Sequence, residues 1–174
     1  MSIRAIAAFG AVALSLVSSG CGYHVSGHAD QLPKSIKTIA IPAFGNATTR
    51  YRLTERLPAA ITREFIARTR YNVVADPAAA DAVLTGSILK YDAFPTTFDP
   101  KTGRASAVQL YMHLAITLRD RAGKVLYARP DFEIRERYEI STDQRAYVEE
   151  SDAALDRLSQ SVARMVVSGV LEKF

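Results

Sequence analysis

The chain has 174 residues, 48% apolar and 23% charged, with a formal net charge of +4 and a single cysteine. One thiol excludes an internal disulfide. Only the first twenty residues are apolar enough to concern a membrane helix, and they are too short to span one.

Arg4 precedes an apolar run from Ala5 to Val17, then Ser18, Ser19 and Gly20, the layout of a secretory signal with a small-residue cleavage site. The run is about 13 residues, against the roughly 20 a spanning helix needs. Val17 to Cys21 resembles the bacterial lipobox, with Ser18 where Leu is commonest. Residues 1–20 are therefore expected to be a lipoprotein signal peptide and Cys21 the lipid attachment site. The alternative is a secreted protein with a free thiol. The expected modification is a diacylglycerol and an N-acyl chain on Cys21, enough to anchor stably, with no other cofactor. Gly22 stands where Asp would favour inner-membrane retention, so the outer membrane is the expected home.

From Lys34 to Arg137 the chain holds 17 basic and 10 acidic residues, and from Tyr138 onward 4 and 7. A basic body in an exported lipoprotein suits lipid phosphate, and no nucleic-acid partner is expected.

Residues 21–35 read as a lipidated tether and 36–174 as a single α+β domain. "IKTIAIPAF" is a strand, and "FGNATTRY" a polar loop. Leu53, Leu57, Ile61 and Phe65 recur at helical spacing, predicting a helix over 54–69 with Pro58 in its first turn. "YNVV" is a short strand or edge. "AVLTGSILKYDAF" is a longer strand with a bulge at Gly86, followed by "PTTFDPKTG" as a hairpin loop. Val108 to Leu118 alternates cleanly, with Gln109, Tyr111, His113 and Arg119 on the polar side. In "KVLYARPDFEIRERY", Leu126, Ala128, Phe132 and Ile134 share one face, and Tyr127, Arg129, Asp131, Glu133, Arg135 and Arg137 the other. Pro130 there predicts an edge or a bulge. Ser151 is the expected N-cap of a last helix, whose stripe runs through Leu155, Leu158, Val162, Met165 and Gly169. The expected fold is a two-layer α+β sandwich, β-α-β-β-β-α, with two helices on one face of a mostly antiparallel or mixed four-stranded sheet.

Catalytic signals are missing. No G-x-S-x-G elbow, H-E-x-x-H pair, Walker loop or dinucleotide fingerprint occurs, and no enzyme is expected. His24 and His28 fall in the tether, His113 reads as a solvated strand histidine, and Asp92 and Asp99 have no fixed spacing, so no metal site is expected. The sheet face left bare by the helices is the candidate site, a docking surface for an anionic amphipathic molecule or a protein wall.

"CGYHVSG", "KTIAIPAFGNATTRY", "LTERLPAAITREFIARTRYNVV", "ADAVLTGSILKYDAFPTTFDPKTGRA" and "ALDRLSQSVARMVVSGVLEKF" together resemble the LptE family of lipopolysaccharide-assembly outer-membrane lipoproteins. The resemblance implies a non-enzymatic partner of the LptD β-barrel, facing the periplasm and lodged inside that barrel, that helps carry lipopolysaccharide to the cell surface. Only Cys21 matches the family position for position. Lys101, Arg104, Arg135 and Arg137 are expected lipopolysaccharide contacts from their charge and placement. "IAIPAFGNAT" and "ADAVLTGSI" also resemble accessory lipoproteins of ABC-type lipid transporters and of secretion systems, the alternative reading.

Overall fold

The computed structural model describes residues 32–140 and 144–172, with 144–150 as helical backbone only. The expected signal peptide, Cys21, His24 and His28 lie outside the described residues. In chain order the elements are β1 (Thr38–Ala40), β2 (Gly45–Asn46), α1 (Leu53–Arg68), β3 (Asn72–Val74), a 3-10 turn at Pro77–Ala79, β4 (Ala82–Phe98), β5 (Ala105–Asp120), β6 (Val125–Glu139) and α2 (Gln144–Glu172).

The class is the expected one, α+β with both helices on a mixed sheet, but the sheet has six strands rather than four. Its order is β3-β1-β4-β5-β6, with β2 also paired to β4. β1 runs parallel to β3 and β4, while the two long hairpins are antiparallel. The additional strands are only two and three residues long and carry little periodicity of their own. They form because longer neighbours supply an edge: Ala47 donates its N–H to the Ile88 carbonyl, and Asn72 to the Lys37 carbonyl.

α1 keeps Pro58 inside it. A proline leaves the carbonyl four residues back without its helical donor. That carbonyl belongs to Thr54, and the Phe44 N–H donates to it at 3.1 Å. The Phe44 ring, itself buried, then lies on Gly86, where an added Cβ would stand 2.3 Å from a ring carbon. Gly86 is thus a site of close approach and not the expected bulge; it pairs regularly with Ile116, and the irregularity falls at Leu89.

Two further expectations change. α2 begins at Gln144, seven residues before Ser151, because 144–150 contain neither Gly nor Pro and continue the helix. β4 continues through Pro95 to Phe98, so half of the expected hairpin loop is strand. Pro130 behaves as expected: β6 is an edge strand, and Pro130 and Asp131 together oppose one residue, Ala115. This bulge reverses the alternation. Tyr127 therefore does not lie on the bare face; it opposes Leu118, is buried, and touches α2 at Gly169, where an added Cβ would stand 2.7 Å from its hydroxyl.

The core lies between helices and sheet. Phe65, Leu57 and Ile61 of α1 meet Leu84, Leu114, Ile116 and Leu118 of the sheet and Leu158, Val162 and Val166 of α2. Leu32 and Ile36, ahead of the first strand, also belong to it. Full burial contributes about 1.5–3 kcal/mol for each such side chain. At the near end Asp81 fastens β4 to β1. Its carboxylate accepts from the N–H groups of Lys37 and Thr38 at 3.0 Å each and from the Thr38 hydroxyl at 2.8 Å. These bonds, that from Lys37 first, hold its pKa below the ordinary carboxylate range.

Among the described residues no helix is long and apolar enough to cross a membrane.

Candidate functional site

The face of β4, β5 and β6 away from the helices carries the candidate site, and strand register arranges it in rows. Lys90, His113 and Glu133 stand side by side; then Asp92, Tyr111 and Arg135; then Phe94, Gln109 and Arg137. Directly opposite residues share a sheet face, so these nine side chains form one continuous surface.

Its middle is a network of charges. Lys90 Nζ lies 2.7 Å from Asp92, and this contact raises the lysine above its ordinary pKa. His113 has Nδ1 3.0 Å from Asp131 and Nε2 3.3 Å from Glu133, so both ring nitrogens are engaged. Glu133 also pairs with Arg135 and raises it. A shallow hollow of about 270 Å³ is lined by Lys90, Asp92, Phe94, Tyr111, His113 and Glu133. Tyr111 is sandwiched: Phe94 meets it edge-on at 5.8 Å, and the Arg135 guanidinium covers its ring at 5.1 Å.

The hairpin tip differs. Asp99 accepts from the N–H groups of Lys101 and Thr102 at 2.7 and 3.0 Å, which lowers its pKa, Thr102 contributing most. Gly103 adopts φ +66° to close the turn. Lys101 and Arg104 project from this turn, exposed and without a carboxylate partner among the described residues. Arg137 joins them from β6, its guanidinium donating to the Thr97 hydroxyl at 3.1 Å.

The four cations expected as anion contacts thus separate. Lys101, Arg104 and Arg137 gather toward the tip with no ion-pair partner among the described residues, while Arg135 is shared with Glu133 and Tyr111. Asp92 and Asp99 form no carboxylate pair. Asp92 lies within β4, bound to Lys90, and Asp99 in the turn beyond it, spent on backbone N–H groups. Among the described residues no group of three or more His, Cys, Asp or Glu side chains is placed to hold a metal ion. Sequence reasoning missed Thr97, because Pro95 ended the expected strand, and missed Lys90 and Phe94, which lay within that strand but whose facing partners only the register supplies. The β-branched pair Thr96-Thr97 before Phe98 was the signal that it continued.

Beyond Ile88 the outer edge of β4 has no strand beside it among the described residues, and Leu89, Phe94 and Phe98 are exposed there at 42%, 53% and 57%. Bare edge, exposed apolar groups and unpaired cations coincide in the far half of the hairpin. Such a surface can hold an amphipathic anion or lie against a protein wall.

Residues 36–169 match the LptE family, described as lipopolysaccharide-assembly. Among solved structures, rare lipoprotein B from Shewanella oneidensis is similar at 14% identity, covering 75% of this chain and 91% of that one, with a TM-score of 0.53. An uncharacterized lipoprotein B from Nitrosomonas europaea is similar at 15% identity, covering 83% and 87%, with a TM-score of 0.53. The PelC dodecamer from Paraburkholderia phytofirmans is similar at 15% identity, covering 79% and 90%, with a TM-score of 0.54. At these identities the likeness concerns the fold. No curated protein sequence matches the chain. With most of its length matched, the chain belongs to the LptE lipopolysaccharide-assembly family.

Proposed function

We propose that this LptE-family chain is the lipid-anchored partner of an LptD-type outer-membrane β-barrel, that it sits within the barrel from the periplasmic side, and that it assists passage of lipopolysaccharide to the cell surface. It works by binding and not by catalysis. Acyl chains on Cys21 hold it to the outer membrane.

The observation that carries the reading is the placement of the two ends. The chain leaves the tether at the near end, where β1 and β4 begin, and the unpaired cations stand at the opposite end. β4 alone, 17 residues, spans about 50 Å between them. That exceeds the roughly 30 Å hydrocarbon thickness of a bilayer. A domain anchored at one leaflet and lodged in a barrel therefore reaches the far side with its hairpin tip. There Lys101, Arg104 and Arg137 meet lipid A or core phosphates, with Arg135 beside them, and Phe94 and Tyr111 give apolar contact. Charge-assisted bonding to those phosphates competes with the interactions that hold lipopolysaccharide aggregates together. The bare edge and exposed side chains of β4 lie against the barrel wall.

The test is a mild-detergent pull-down of the tagged lipoprotein from its own outer membrane, with mass spectrometry of its companions. A large β-barrel in equal amount supports the reading. An ABC-transporter component, or a ring of this chain alone, overturns it in favour of a transport or secretion accessory, a fold the PelC dodecamer shares.

A further inference from the structure

The near end of the domain holds a cleft of about 780 Å³, lined by Leu32, Pro33, Ile36 and Tyr71 on its apolar side and by Lys34, Lys37 and Arg70 on its polar side. Thr38 and Asn72 complete it, and among the described residues no acidic side chain lines it. Lys34, Lys37 and Arg70 are exposed, and their side chains make no hydrogen bond or ion pair among the described residues. The Asp81 carboxylate reaches this edge of the fold but is spent on the backbone N–H groups of Lys37 and Thr38 and on the Thr38 hydroxyl, and its ion pair is with Arg121. Three cations from two separate segments, the lead-in to β1 and the α1–β3 connection, thus converge with no carboxylate partner among the described residues.

Chain length says what meets this cleft. Eleven residue steps separate Cys21 from Leu32, which is buried in the core. Fully extended they reach at most about 40 Å, and any relaxed path is shorter. The tether thus keeps the cleft within about 40 Å of the leaflet that holds the acyl chains and lets it rest on that surface. Anionic headgroups there attract lysine and arginine within a Debye length.

We propose that the Lys34–Lys37–Arg70 cleft seats the phosphate of an anionic lipid headgroup and so fixes the tilt of the domain above its anchor. The inference rests on acylation of Cys21 and not on the barrel partnership. The apolar floor of Leu32, Ile36 and Tyr71 receives the glycerol and first methylenes, while the cations share the phosphate oxygens.

The experiment uses the full mature chain carrying Cys21→Ser, so that no acyl chain contributes, and follows its flotation with vesicles at low salt. Vesicles of phosphatidylglycerol and phosphatidylethanolamine are expected to carry the protein, and vesicles of phosphatidylcholine are not. Replacing all three cations (Lys34→Gln, Lys37→Gln, Arg70→Gln) is expected to reduce partitioning by on the order of 100-fold, and Lys34→Gln alone by about fivefold. A variant at three exposed cations outside both the cleft and the hairpin tip, Arg63→Gln, Lys124→Gln, Arg164→Gln, serves as the reference and is expected to float nearly as the parent does. Equal losses from the two triple variants would show charge without a site and overturn the proposal. Inorganic phosphate shifting the amide signals of Lys37 and Asn72 while the vesicles bind nothing would overturn the lipid as its source. Barrel capture in the pull-down is expected to be unchanged by the cleft variant, which keeps the two proposals separable.

Discussion

The two halves of the β4–β6 sheet are built on opposite terms. In the near half β4 has neighbours on both edges, both helices cover one face, and Asp81 ties the first strand to the fourth. In the far half β4 has no outer neighbour beyond Ile88, the register slips at Leu89 and again around Thr97, and large apolar groups stand in solvent. Stability is concentrated where the chain is paired, and the proposed recognition surface lies where it is not. A free edge and exposed phenylalanines carry a standing aggregation hazard, which an occupant such as the proposed barrel wall would remove.

The sharpest way to break this contrast is to cut the same kind of group from each half. Leu118→Ala, at a fully buried position facing Tyr127, is expected to lower stability by about 3 kcal/mol in urea unfolding. Phe94→Ala, half exposed, is expected to stay within about 1 kcal/mol. Equal losses would mean that the far half is core after all.

Next in size is Gly86→Ala. The new methyl group meets the Phe44 ring, which is buried in the core and has little room to give way. A loss of about 2 kcal/mol is expected, typical of overpacking. Thermal melts showing no change would remove Phe44 from its place as the link between α1 and the sheet.

Smaller in stability but larger in function is the hairpin triple variant, Lys101→Gln, Arg104→Gln, Arg137→Gln. Its melting temperature is expected to match the parent, since none of the three is ion-paired among the described residues. Lipopolysaccharide binding, followed by light scattering of the aggregates, is expected to weaken about tenfold, because glutamine cannot form the charge-assisted bonds to phosphate. Arg135→Gln alone is expected to do less, because Glu133 already shares its charge.

The smallest effect lies in the pH dependence. The Asp81 pKa is lowered in the fold, so its bonds add stability above the ordinary carboxylate range, and that stability fades as pH falls through the lowered value. Asp81→Asn is expected to melt lower near neutrality and to flatten the melting curve against pH below about pH 4. A slope unchanged by the substitution would assign the acid sensitivity to another group, with Asp99 next in line.

Legibility follows periodicity. β5 is legible to within a few residues because its buried face alternates without a break from Val108 to Leu118. α1 is legible because Leu53, Leu57, Ile61 and Phe65 align on one side. β2 and β3 are faint because a strand of two or three residues leaves no pattern, and their existence depends on a neighbour's edge. The site is half legible. Lys101 and Arg104 stand out in the sequence as cations beside a turn and Arg137 as one on a strand face, but nothing local distinguishes Arg137 from Arg135. Their difference lies in which partner the register supplies, Thr97 for one and Glu133 for the other.

By itself the sequence determined the class of the fold, the helix-covered face, the expected anchor at Cys21 and the family, since hydrophobic spacing and short motifs are local properties of the chain. Only the tertiary structure decided where β4 ends, which way Tyr127 points, why Gly86 is glycine and which cations remain uncompensated. Those outcomes depend on a bulge at Pro130, a ring from Phe44 and a register between strands, each a relation between residues far apart in the chain.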